Sequence, residues 1–177
     1  MAPTYYLFGI ICFSFAGSFL QPYRNLLDKR AEVVRIAKRE IGVRERTGHN
    51  DGPRVETYLA AADLKRGAPW CAAYITWVFK QAGMDKPHTG WSPDMFPHAR
   101  LARSALPGNL LAIYFPELKR IAHVGLIVRW EGDWIRSVEG NTNVDGSREG
   151  DGVYAKRRHI KTIYQIADWI TPIITKP

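Results

Sequence analysis

Residues 110–140 read LLAIYFPELKRIAHVGLIVRWEGDWIRSVEG, and three runs within them, 110–115, 122–130 and 134–139, are rich in β-branched and aromatic side chains. Pro116 and the polar triplet Glu131-Gly132-Asp133 punctuate the runs, as turns punctuate strands. Two further runs of the same character follow at 153–156 and 163–170. Five short strands so close together are most simply paired as an antiparallel sheet.

Upstream of this stretch the pattern is helical. Asn25 is placed to cap a helix over residues 26–41, with Leu27, Ala31, Val34, Ala37 and Ile41 on one stripe and Gly42 as its stop. Pro53 suits a first helical turn and opens a second helix over 53–62. A third starts at Pro69 and runs WCAAYITWVFKQA to Gly83. It is apolar on nearly every side, so it is expected at the centre of the core. Between them, residues 85–108 carry Pro87, Pro93, Pro97 and Pro107, which predicts a long surface connection with at most a short helix near 99–105. Helices first and strands later imply an α+β fold, with N-terminal helices packed on a C-terminal antiparallel sheet.

At 177 residues, with 46% apolar and 24% charged side chains, the chain has the size and composition of one globular domain. That domain is expected over residues 24–172. Residues 5–20, YYLFGIICFSFAGSFL, are almost wholly apolar, and the first charged residue is Arg24. Residues 1–20 therefore read as an export signal with small residues at 16–18 for cleavage, or else as a retained N-terminal anchor. The expected location is secreted or periplasmic, with membrane contact only if that segment is kept. Removal of the signal would take Cys12 with it and leave Cys71 as the sole thiol, so no internal disulfide could form. The 25 basic against 17 acidic side chains give a formal charge of +8. An exported basic protein is drawn to polyanions such as wall polymers, and an exported chain seldom meets nucleic acid.

An unpaired thiol in an oxidising compartment is either a small buried hydrophobe or a group in use. Cys71 falls in the first turn of the third helix, where free N–H groups and the macrodipole favour a thiolate. A nucleophilic thiol needs a base that later protonates the leaving amine, the usual work of histidine. Of five candidates, His49, His88, His98 and His159 lie in polar, proline-containing or basic stretches, whereas His123 lies in the strand AHVGLIV, where packing can hold its ring. The turn at 131–133 folds that strand back on its successor. A turn centred on Gly132 pairs His123 with Asn141, and one centred on Glu131 pairs it with Glu139. Both partners share a face if the strand continues, and either register brings a polar group to the imidazole.

The blocks PWCAAYITWVF (69–79), AHVGLIV (122–128) and VEGNTN (138–143), in that order, resemble those of the CHAP family, the cysteine, histidine-dependent amidohydrolases/peptidases. The resemblance covers roughly residues 32–170. It implies a papain-like fold, with Cys71 as nucleophile, His123 as its base, Glu139 as the residue that orients the base and Asn141 as a fourth polar group beside them. It further implies peptidoglycan as the substrate and cleavage of an amide bond through a cysteine acyl-enzyme, by a monomer without cofactor. Some relatives bind calcium through clustered aspartates before the nucleophile. Asp51 and Asp63 stand apart here, so no structural calcium is expected. Neither an HExxH pair nor paired cysteines at zinc spacing occurs, and Asn109 stands where many relatives have aspartate. A papain-like toxin, a transpeptidase acting on another amide, and a non-catalytic basic wall-binding protein are the competing readings.

Overall fold

A computed structural model of the chain describes residues 16–145 and 150–173. Three helices, α1 (Ala16–Arg39), α2 (Pro53–Ala61) and α3 (Cys71–Gln81), precede five strands: β1 (Leu110–Phe115), β2 (Arg120–Glu131), β3 (Trp134–Thr142), β4 (Gly152–His159) and β5 (Gln165–Ala167). The strands form one antiparallel sheet in the order β4-β3-β2-β1-β5. The α+β reading, helices first and sheet last, thus holds. Residues 1–15 of the expected export signal lie outside the described residues, and residues 16–20 belong to α1. Among the described residues no helix is long and apolar enough to cross a membrane.

Helix α1 departs from its sequence reading at both its start and its buried face. Asn25 lies inside the helix, its Oδ1 accepting Gln21 Nε2 one turn earlier. Leu27 and Ile41 are exposed, while Val33, Ile36 and Ala37 are buried together with Arg30 and Glu40. An apolar stripe could not reveal this face because two charged residues turn inward to partners far along the chain. Arg30 donates to Pro107 O, Asn109 Oδ1, Asp168 Oδ2 and Thr171 Oγ1, and Glu40 accepts Arg54 through two bonds of 2.7 Å and the Tyr58 hydroxyl. Asn109 is thereby part of a polar staple between α1 and the start of β1.

The connection 85–108, expected to hold at most a short helix near 99–105, contains no α-helix. Two single 3₁₀ turns, Ser92–Met95 and His98–Arg100, occupy the connection, since proline removes amide donors and disfavours α backbone before it. β5 is likewise shorter than its apolar run: pairing covers only Gln165–Ala167, and Asp168 then accepts the N–H groups of Ile170 and Thr171 in a turn.

Helix α3 is the centre of the core. Every residue from Cys71 to Phe79 is buried, and α3 packs against β2 and β3 on one side and α2 on the other. Tyr58 of α2 joins Trp70, Tyr74 and Trp77 in an aromatic cluster with ring centroids 5.2–5.6 Å apart. The Tyr74 hydroxyl donates to Ala37 O of α1 at 2.9 Å, so its buried polar end is satisfied. β3 can lie this close to α3 because residue 140 is glycine: a Cβ there would stand 2.8 Å from the rings of Trp70 and Tyr74. The opposite face of the sheet is covered by a smaller cluster around Leu111, Ile127 and Ile135.

Candidate active site

The register of the β2–β3 hairpin decides what meets His123. Next to the turn Glu131 pairs with Trp134, and beyond a bulge Ile127 pairs with Ser137 and Leu126 with Val138. That second register corresponds to the Gly132 centre. It places Gly125 opposite Glu139, and a Cβ at Gly125 would stand 2.6 Å from Glu139 Cγ. Room made by the missing side chain lets the carboxylate lean diagonally across the hairpin, and Glu139 Oε2 comes to lie 2.8 Å from His123 Nε2. On the other edge of β2, Ile113 pairs with His123 and Tyr114 with Ile121, so Ala122 is bulged out directly before the histidine. Bulges of this kind re-aim the neighbouring side chain.

Asn141 goes elsewhere. It has left strand geometry, with φ 53°, and its Oδ1 accepts the Trp70 backbone N–H at 3.0 Å while its Nδ2 donates to Asn50 Oδ1 and Gly150 O. Trp70 is the residue before Cys71 and provides no side-chain cap of its own. Asn141 therefore tethers the nucleophile end of α3 to β3 and does not touch His123, a correction to the pairing that the Gly132 register suggests. Beyond Glu139 the ladder shifts, which a count along an ideal strand cannot foresee.

Cys71 is the first residue of α3, at the positive end of the helix. Its Sγ lies 3.3 Å from Ser92 Oγ. His123 and Glu139 are 2% and 0% exposed. With Nε2 on Glu139, the buried Nδ1 of His123 has no nitrogen or oxygen partner among the described residues, which leaves it for the thiol. Glu139 also accepts Ser137 Oγ at 2.6 Å and Arg158 through Nε at 2.9 Å and Nη2 at 2.5 Å. A fully buried carboxylate thus has donors on both oxygens, as a charge in the interior requires.

These contacts set the protonation states. Burial pushes the Glu139 carboxyl up, but Arg158 and His123 outweigh it and hold the group far below the usual carboxylate range. Burial pushes the His123 imidazole down, yet interaction with Cys71, the bond to Glu139 and the charges of both raise it to about 9. For Cys71 burial again works upward. Interaction with His123 and its charge, Ser92 and the Val124 backbone bring the thiol below its ordinary value. The arrangement favours a thiolate–imidazolium pair, a nucleophile and its proton donor already separated in charge.

A cleft of about 200 Å³ opens over Cys71, lined by that residue, Ser92 and Asn141 together with Leu64, Trp91 and Arg120. No described histidine lines it: His123 lies buried behind Cys71, and His88, for example, is 2.8 Å from Asp63. A larger cavity of about 500 Å³ lies away from it, lined by Lys38, Arg129, Arg136, Lys156 and Arg157, with no cysteine, histidine or carboxylate among its described lining residues. Among the described residues no three His, Cys, Asp or Glu side chains gather as metal ligands. Asp51 is taken up by the Thr47 N–H and by Arg66.

Cys71, His123 and Glu139 were legible in the sequence. Ser92 and Arg158 were not: the first lies in the proline-rich connection, and the second stands in a basic run that reads as a solvated face. Only the alternation along β4, which puts Arg158 and Lys156 on one face, hinted at it. No family model matches the chain, and no curated protein or solved structure gives a significant match.

Proposed function

We propose that this protein is a cysteine-dependent amide hydrolase of the CHAP type that cleaves peptidoglycan. The observation that carries the reading is the buried Cys71–His123–Glu139 series at the mouth of a cleft, with the thiol on a helix N-terminus. In the first half-reaction the Cys71 thiolate attacks the amide carbonyl, and backbone N–H groups at the start of α3 stabilise the oxyanion. The His123 imidazolium gives its proton to the departing amine, leaving a thioester on Cys71. In the second, His123 takes a proton from water as that water attacks the thioester, and the acid product leaves with the thiolate restored. Glu139 keeps the ring oriented and its charged form favoured, and Arg158 and Ser137 keep Glu139 in place. The chemistry needs no cofactor.

The peptidoglycan assignment rests on the three sequence blocks and the basic character of the chain. A zymogram containing purified peptidoglycan, run with wild type and Cys71→Ala side by side, tests it: clearing by the first and not by the second is expected. Clearing by both would remove Cys71 from the mechanism, and clearing by neither would favour another amide or a binding role. Mass spectrometry of the released fragments then identifies the bond.

A further inference from the structure

Arg120 is the one charged side chain that lines the cleft over Cys71. It stands at the start of β2, three residues before His123 on the same strand. Its guanidinium lies over the indole of Trp91, 4.1 Å from the ring centroid, and one of its donors, Nη1, is used on Ile121 O at 3.0 Å. No described acid pairs with it. A cation of this kind without a carboxylate partner, beside a nucleophile, is unusual when so many other arginines of the protein are paired: Arg30 with Asp168, Arg54 with Glu40, Arg66 with Asp51, Arg136 with Glu131 and Arg158 with Glu139.

The platform under Arg120 is fixed. Trp91 is 48% exposed, but its loop is tied to the middle of α3: Thr76 Oγ1 donates to Thr89 O at 2.8 Å and accepts Thr89 N–H at 3.1 Å, and the Trp91 N–H donates to Thr89 Oγ1 at 3.0 Å. Thr76 itself is 2% exposed. One face of the indole is covered by the guanidinium, so stacking holds the planar fork rather than a substrate ring on that side. What a held guanidinium with spare donors recognises is a planar anion that accepts two parallel N–H bonds, and for a peptide substrate that anion is a carboxylate.

We infer that Arg120, steadied by Trp91, is a carboxylate-recognition subsite that selects an acidic peptide substrate, binding a free carboxylate of the peptide beside the amide presented to Cys71. The inference deepens the hydrolase reading and rests on it. Serving the substrate through binding, Arg120 acts on specificity and takes no part in proton transfer.

Two alkylating reagents of nearly equal size separate charge recognition from thiol reactivity: iodoacetate carries a carboxylate and iodoacetamide does not. The full chain with Cys12→Ala leaves Cys71 as the only thiol, and alkylation of it is followed by mass at pH 7 in the otherwise unaltered protein, in Arg120→Ala and in Arg120→Lys. Arg120→Ala is expected to slow iodoacetate about fivefold, the scale of a partly exposed charge-assisted pair, while iodoacetamide changes less than about twofold. Arg120→Lys, which keeps the charge and loses the fork, should fall between. The His123 imidazolium also attracts iodoacetate, but it is present in all three proteins and cancels in the comparison. An iodoacetate-to-iodoacetamide ratio unaltered by Arg120→Ala, with Cys71 still reactive, overturns the subsite and leaves the hydrolase reading standing. A Cys71 that reacts with neither reagent before denaturation overturns that reading and the subsite with it.

Discussion

At the residue scale the site is a chain of charges of alternating sign: thiolate, imidazolium, carboxylate, guanidinium. Each member is buried or nearly so, and each is held ionised by the next. Such groups act as a unit, so Cys71→Ser and His123→Ala should each remove turnover by about 10³-fold or more while circular dichroism shows the fold retained. A folded variant of either kind that still clears peptidoglycan would sink the assignment. Glu139→Gln should be milder than Glu139→Ala, because an amide oxygen can still accept the His123 Nε2–H; equal losses would argue against an orienting role.

The same charges define a pH window. Cys71 is shifted below its ordinary value and His123 is raised to about 9, so the ion pair is populated above the first and below the second. Activity should therefore rise as the thiol ionises at a pH below that of free cysteine, near 8.5, and fall as the imidazolium loses its proton around 9. The two limbs belong to the coupled pair rather than to either residue alone. The folding contribution of His123 has the matching sign. A raised value gives stability that is full below the ordinary imidazole value of 6.5 and is lost as pH climbs through about 9. In His123→Ala the iodoacetamide rate should follow a thiol titrating at higher pH. A Cys71 that titrates near the free value and ignores that mutation would leave the ion pair without support.

At the element scale the site depends on two places where a side chain is missing. Gly140 admits the rings of Trp70 and Tyr74, and Gly125 admits the Glu139 side chain. Gly125→Ala is the sharper test, since its Cβ would fall 2.6 Å from Glu139 Cγ and displacing that side chain is the most direct relief of the clash. Such a displacement breaks the His123–Glu139 bond without changing either residue. We expect kcat to fall about 10- to 100-fold, with a loss of about 1–3 kcal/mol in stability from overpacking. Unchanged kcat with a lowered melting temperature would mean that the sheet absorbs the methyl and Glu139 keeps its place. Hairpin counting could narrow the partner of His123 to Glu139 or Asn141 because strand pairing is periodic. It could not choose between them, because the bulge near residue 128 and the turn of backbone at Asn141 are local departures from that period. For the same reason the apolar runs located β1 and β2 within two residues, whereas α1 was misjudged: its inward face carries Arg30 and Glu40, whose partners are set by tertiary structure and leave no periodic trace.

At the scale of the whole molecule, the net charge of +8 raises the question of whether the basic surface holds an insoluble polyanion while the cleft works on it. The 500 Å³ cavity is lined by five cationic side chains, Lys38, Arg129, Arg136, Lys156 and Arg157, although Arg129 and Arg136 share Glu131 and Lys156 is spent on the carbonyls of Asn143 and Val144. Attraction to wall polymers is thus better ascribed to the summed field than to any one pocket. A field of that kind is screened over about 8 Å at physiological ionic strength and over still shorter distances in strong salt. Inactive Cys71→Ala should therefore co-sediment with purified sacculi at low salt and be released by about 0.5 M NaCl, whereas alkylation of Cys71 by uncharged iodoacetamide in the Cys12→Ala protein should change little over the same range. The contrast matters because the Cys71–His123–Glu139 charges are buried and screened far less than surface ones. Retention that ignores salt would show that substrate is held by contacts within the cleft, and the excess of basic residues would then have no part in binding the wall.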